Sequence, residues 1–159
     1  MLRALGGTLI ATATAIFCGG YASYLRRGAA ESRAFLDYLT DKRRRIANYN
    51  DGSRAVDWGA DALEELGFFP LLRAGASSAR AMEEVADKTA APREVVARLR
   101  EYFSLCGGDY MEGELDLLDR TTVELRRLTE ELESALPGRI RVAYTLGLAL
   151  GVGLFLLLI

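Results

Sequence analysis

The chain has 159 residues, with 20 basic side chains against 22 acidic ones, two cysteines and no histidine. Near-balanced charge argues against a dedicated nucleic-acid binder, which concentrates cations on one face, and the lack of histidine removes the commonest general base and metal ligand. Cys18 and Cys106 share no CxxC spacing, and neither a GxxxxGK[ST] loop nor a GxSxG elbow occurs, so zinc, disulfide, phosphate-loop and hydrolase readings find no foothold.

Ala4 to Leu25 carries no charge and is close to the roughly 20 residues that cross a bilayer core as a helix. Val142 to Ile159 is likewise uncharged, and every acidic residue, from Glu31 to Glu133, lies between the two. Both segments are predicted to be transmembrane helices, over residues 4–25 and 142–159. A cleavable signal peptide is the competing reading of the first, since Arg3 precedes it and Ala13-Thr14-Ala15 is a run of small residues; a lipoprotein site fails because Phe17 stands before Cys18. Arg3 alone precedes the first segment, whereas Arg26, Arg27 and Arg33 follow it and Arg139 and Arg141 precede the second. That asymmetry predicts a cytoplasmic middle, residues 26–141, with both termini outside. Within the spans, Gly7, Ala11, Ala15 and Gly19 recur at every fourth position and Gly147 and Gly151 form a GxxxG, small faces that let helix backbones approach closely in lipid.

The middle reads as all helix. From Ala30 to Tyr49, Phe35, Leu36, Leu39 and Ile46 fall at a helical period. The run Lys42-Arg43-Arg44-Arg45 on this helix is either a solvated face softened by Asp37 and Asp41 or a contact for an acidic partner or anionic headgroups. Asn50 to Ser53 signals a turn, with Ser53 able to cap a helix carrying Val56, Ala60, Leu63 and Leu66 near Trp58. Gly67 ends that helix. The apolar run Phe68-Phe69-Pro70-Leu71-Leu72 is read as core, with Phe68 and Phe69 as the alternative docking patch. Gly75 to Ser78 opens a third helix through Met82 and Val85, and Pro92 suits the first turn of a fourth, which places Val95, Leu99, Tyr102 and Cys106 on one stripe. After Gly107-Gly108, Asp109 and Glu112 have capping-box spacing. The fifth helix is the best specified: Leu115, Leu118, Thr122, Leu125, Thr129, Leu132 and Leu136 alternate steps of three and four, a coiled-coil-like heptad seam. Helix one is its expected partner, ahead of a second copy, and Pro137-Gly138 is expected to break it before the second span. The predicted fold is therefore an all-α bundle or hairpin flanked by transmembrane helices.

In their order along the chain, several local patterns resemble the stage III sporulation protein AB family of endospore-forming bacteria. They are the MLRALGG start of a span that closes on Tyr24-Leu25-Arg26-Arg27, the helix Glu31 to Asn48 leading to a turn, Phe69-Pro70-Leu71-Leu72 followed by Ser77 and Ala81-Met82, Tyr102-Phe103 with Cys106-Gly107-Gly108, Tyr110 and Gly113, and Tyr144 with Gly147 and Gly151. The chain departs from that pattern where Asp109-Tyr110 leads to Gly113-Glu114, and at Pro137-Gly138. The resemblance implies an all-helical cytoplasmic domain similar to the inner-membrane platform protein of type II secretion systems, seated in the mother-cell membrane around the forespore. Its implied partners are the AA-type ATPase and the AC to AH proteins of the sporulation channel.

The leading functional expectation is thus a non-enzymatic membrane scaffold that docks a cytoplasmic ATPase and assembles with channel subunits. No cofactor, small-molecule substrate or nucleic acid is expected. A two-span adaptor or regulator of another membrane complex fits the same features. A small membrane enzyme using Asp109, Glu112 and Glu114 fits them worst, because that spacing suits a helix cap and solvated first turn.

Overall fold

A computed structural model describes residues 2–47, 60–105 and 111–158, and these form an all-α bundle of α1 (Leu2–Ala47), α2 (Ala60–Leu66), α3 (Phe68–Arg73), α4 (Ser78–Ala86), α5 (Arg93–Leu105) and α6 (Met111–Leu158). The turn at Asn50 to Ser53, Trp58, Cys106 and the cap residue Asp109 lie outside the described residues. The chain divides into a terminal unit, Met1–Arg26 with Glu133–Ile159, and a central unit, Arg27–Leu132.

Two expectations about helix ends are corrected. The first apolar segment and the amphipathic stretch after it are one helix, α1, which passes through Arg26-Arg27-Gly28 without a break. The heptad helix and the second apolar segment are likewise one helix, α6, with Pro137 inside it. A proline in a helix interior removes one N–H and costs about 3 kcal/mol. Here Pro137 and Gly138 are exposed, and packing of α6 on either side of them holds the helical path.

In the central unit the short helices follow local chemistry. Gly67, at φ +90°, provides the left-handed residue between α2 and α3. Ser77, in extended conformation, accepts a hydrogen bond from the Arg80 backbone N–H and starts α4. Pro92 sits one residue outside α5, its carbonyl accepting from Val96 N–H at 3.1 Å, so it is the cap residue and not part of the first turn. The core gathers Phe35, Leu36 and Leu39 of α1, Leu63 and Phe68, Met82 and Val85 of α4, Val95, Leu99 and Phe103 of α5, and Leu118 and Leu125 of α6. Phe68 is its centre: its ring meets those of Phe35 at 5.6 Å, Tyr38 at 5.6 Å, Phe69 at 5.8 Å and Phe103 at 5.5 Å, the edge-to-face and tilted geometries that aromatic quadrupoles favour.

The seam of α6 faces inward as far as Leu132. Leu118 and Leu125 are fully buried and Leu132 nearly so, while Thr122 and Thr129 occupy the alternate buried positions. The same core cluster holds α1 side chains and those of the seam, so the seam packs within the chain, and Arg98 of α5 pairs with Glu124 at 2.9 Å beside it.

Candidate functional site

The terminal unit has the opposite distribution from the central core. Thr14 and Cys18 of α1 meet the two glycines of α6: a methyl built on Gly147 would collide with Cys18 Sγ and lie 3.3 Å from Thr14 Cγ2, and one on Gly151 would lie 3.3 Å from Thr14 Oγ1. The helices therefore run antiparallel with the Thr14 and Cys18 side chains seated on the two glycines, and Cys18 Sγ donates to the Ala143 carbonyl at 3.5 Å. Thr14 donates to the Ile10 carbonyl at 2.8 Å, which satisfies its hydroxyl without water. Large apolar side chains point outward: Ile16, Phe17, Leu146, Leu148, Leu150, Leu156 and Leu157 are exposed, Leu157 at 84%. The GxxxG of α6 is in use, but against Thr14 and Cys18 and not against the Ala15 and Gly19 stripe; Ala15 is exposed and Gly19 has open space where a side chain would stand.

Among the described residues one helix, over Gly113–Leu157, is long and apolar enough to cross a membrane by length and composition. Tyr21, Tyr24 and Tyr144 are exposed near the arginines at the edge of the apolar stretches, the position that amphipathic rings take at a membrane interface. A groove of about 920 Å³ lies along one side of the helix pair, lined by Phe17, Tyr21, Arg139, Val142, Leu146 and Leu150 among others, and a second of about 680 Å³ lies along the other side.

The basic run on α1 is mostly engaged inside the central unit. Lys42 pairs with Glu114 at 2.9 Å and donates to the Tyr102 hydroxyl at 2.9 Å. Arg43 makes a two-point contact with Asp119, which holds its guanidinium above the ordinary arginine range through hydrogen bonding and charge. Arg45 turns back to Asp41 one helical turn away. Arg44 is exposed and faces a shallow polar recess with Arg33, Asp37, Thr40 and Asp41. Phe68 is wholly buried, in line with the core reading of this run, which removes it from the alternative docking patch; Phe69 is half-buried against Tyr38, with ring centres 5.7 Å apart.

A polar clamp that the sequence reading passes over joins α1 to the α4–α5 loop. The buried Glu31 carboxylate accepts from Arg27 Nε at 2.6 Å, Thr89 Oγ1 at 2.7 Å and Ala90 N–H at 2.7 Å. Hydrogen bonds to an ionised acceptor are worth about 1.5–3 kcal/mol each, less for the contact with Arg27, whose side chain is 58% exposed and screened. The Glu31 hydrogen bond, then its charge, raises the Arg27 guanidinium above its ordinary value. Gly28 completes the clamp: a methyl there would overlap the Ala90 carbonyl oxygen and lie 3.0 Å from its carbon. The available signal was an isolated glycine inside a helical period, which marks a close approach.

Among the described residues no group of three or more histidine, cysteine or acidic side chains could hold a metal ion. The arrangement provides packing, ion pairs and an apolar exterior. Comparison with protein-family models, curated proteins and solved structures returns no match.

Proposed function

We propose that the protein is a non-enzymatic membrane platform, with α1 and α6 each crossing the bilayer and the central unit presented to the cytoplasm as a docking body. The observation that carries this reading is the inversion between the units. The terminal unit packs glycine, threonine and cysteine inside and turns leucine and phenylalanine outward, the pattern of helices solvated by lipid. The central unit buries its leucines and aromatics and covers itself with ion pairs.

The ordered sequence resemblance extends the proposal to a scaffold of the sporulation channel, receiving the AA-type ATPase on the cytoplasmic side and joining the AC to AH proteins in the membrane. Arg44, with Phe69 at its half-buried position, is what remains of the sequence-predicted contact surface once Phe68, Lys42, Arg43 and Arg45 are accounted for.

Orientation is tested by cysteine labelling. In a Cys18→Ala, Cys106→Ser background, Ala97→Cys, an exposed position of α5, should resist a membrane-impermeant maleimide in intact cells and react after permeabilisation. Reaction in intact cells would place the central unit outside and end the ATPase reading. Docking is tested by capture of the purified AA-type ATPase on the reconstituted full chain; no capture at low salt would leave a membrane adaptor for a different complex.

A further inference from the structure

We propose that the groove beside Arg139 binds one anionic glycerophospholipid, its phosphate on the Arg139 guanidinium and an acyl chain along Val142, Leu146 and Leu150. This rests on the reading that the terminal unit lies in a bilayer. The groove's volume of about 920 Å³ is in the size range of ligand-binding clefts, and it is open on one side to the surroundings of the helix pair.

Its chemistry is asymmetric along its length. Thr14 lies beside Gly151 and Cys18 beside Ala143, so in the antiparallel pair Tyr21 falls toward the Arg139 end and Leu154 toward the other. One end therefore offers a guanidinium and a phenol, and the rest is hydrocarbon. Gly138 lines the same end, with open space where a side chain would stand, which leaves room beside the cation for a headgroup.

Charge selects the ligand. The terminal unit contains one acidic residue, Glu133, against Arg3, Arg26, Arg139 and Arg141, and among the described residues no carboxylate is paired with Arg139. A guanidinium at the edge of hydrocarbon recruits an anion, and its planar donors match phosphate oxygens two at a time. A basic pocket between transmembrane helices on the cytoplasmic side is the established setting for anionic headgroups. The groove on the other side of the pair, lined by Ala15, Tyr144, Leu148, Val152 and Phe155, has no charged lining residue; it distinguishes no headgroup.

The test uses the full chain in phosphatidylcholine vesicles holding a minor share of phosphatidylglycerol. Trp58→Phe removes the native fluorophore and Phe17→Trp installs one in the groove, and bromine is carried on one lipid or the other. Quenching should show phosphatidylglycerol favoured over phosphatidylcholine by about fivefold at this position, the ratio that one cationic side chain near an anionic lipid supplies. Arg139→Gln should bring that ratio near unity. Arg141→Gln, which removes the same charge from outside the groove, should leave most of it. Equal quenching by both lipids in the parent, or equal loss in the two arginine variants, would overturn the site and leave the bilayer reading standing. No quenching by either lipid would overturn the bilayer reading, and the site with it.

Discussion

Gly28→Ala sets two effects of opposite sign against each other at the clamp. In an exposed helix interior the change gains about 1 kcal/mol, because alanine loses less backbone entropy than glycine. At this position the new methyl overlaps the Ala90 carbonyl oxygen and comes within 3.0 Å of its carbon. Those are backbone atoms of a loop that cannot rotate aside, and overpacking of this kind costs about 1–3 kcal/mol. Lifting the loop to make room stretches the bonds from Thr89 Oγ1 and Ala90 N–H to the buried Glu31 carboxylate, each worth about 1.5–3 kcal/mol. The steric and hydrogen-bond losses exceed the propensity gain, and the net expectation is a destabilisation of about 2 kcal/mol. For a unit of this size that lowers the melting temperature by roughly 10 °C. Thermal unfolding in detergent followed by circular dichroism measures the global loss, and hydrogen exchange at the Ala90 amide reads the loop itself. Glu31→Ala releases the same loop, so the double variant should lose less than the two single losses added together. A Gly28→Ala protein as stable as the parent, with Ala90 protection unchanged, would refute the close approach and with it the clamp.

Leu125→Ala, at a fully buried seam position, should cost about 2–5 kcal/mol in urea unfolding; a loss below about 0.5 kcal/mol would mean the seam is not packed in solution. Thr129→Val should stabilise by about 1 kcal/mol, because the Thr129 hydroxyl, like that of Thr122, is buried with no hydrogen-bond partner among the described residues and a methyl carries no desolvation penalty there; a loss on the same scale would show that the hydroxyl is satisfied. In the terminal unit, a disulfide between Thr14→Cys and Gly151→Cys should form on oxidation, fail when Gly147→Ala puts a methyl onto Cys18 Sγ, and return when Cys18→Ala makes room; disulfide yield indifferent to Gly147 would refute the face-to-face packing.

What the sequence made legible was whatever depends on spacing along one helix. The alternation of three and four identified the face of α6 that is buried from Leu118 to Leu132, with Leu115 and Leu136 half-buried at its ends, and the serine before Ser78 located the start of α4. Helix ends inside the long elements were not legible. Arg26-Arg27-Gly28 and Pro137-Gly138 have the composition of breaks, yet both lie within continuous helix, because packing on either side outweighs a local penalty of a few kcal/mol. The clamp was hidden for a different reason: Glu31 and Ala90 are brought together only by the tertiary fold, and nothing in the local pattern around Glu31 separates it from Asp37 and Asp41, which pair with arginines one turn away on the same helix.

The basic run shows why charge density along a sequence is a poor guide to a contact surface. Lys42, Arg43, Arg44 and Arg45 are consecutive, so on a helix they point in four directions about 100° apart, and each meets a different environment. One reaches Glu114 and Tyr102, one Asp119, one returns to Asp41, and Arg44 is left facing the polar recess. A cluster of four cations in sequence thus resolves into two cross-links from α1 to α5 and α6, one pair within α1 and one outward charge. Arg139 shows the converse. In sequence it stands only near Arg141, but an antiparallel helix pair places it at the head of an apolar groove with no acidic side chain among the described lining residues, and in the lipid site proposed above it is that surrounding, not the count of neighbouring charges, that gives the guanidinium its demand for an anion.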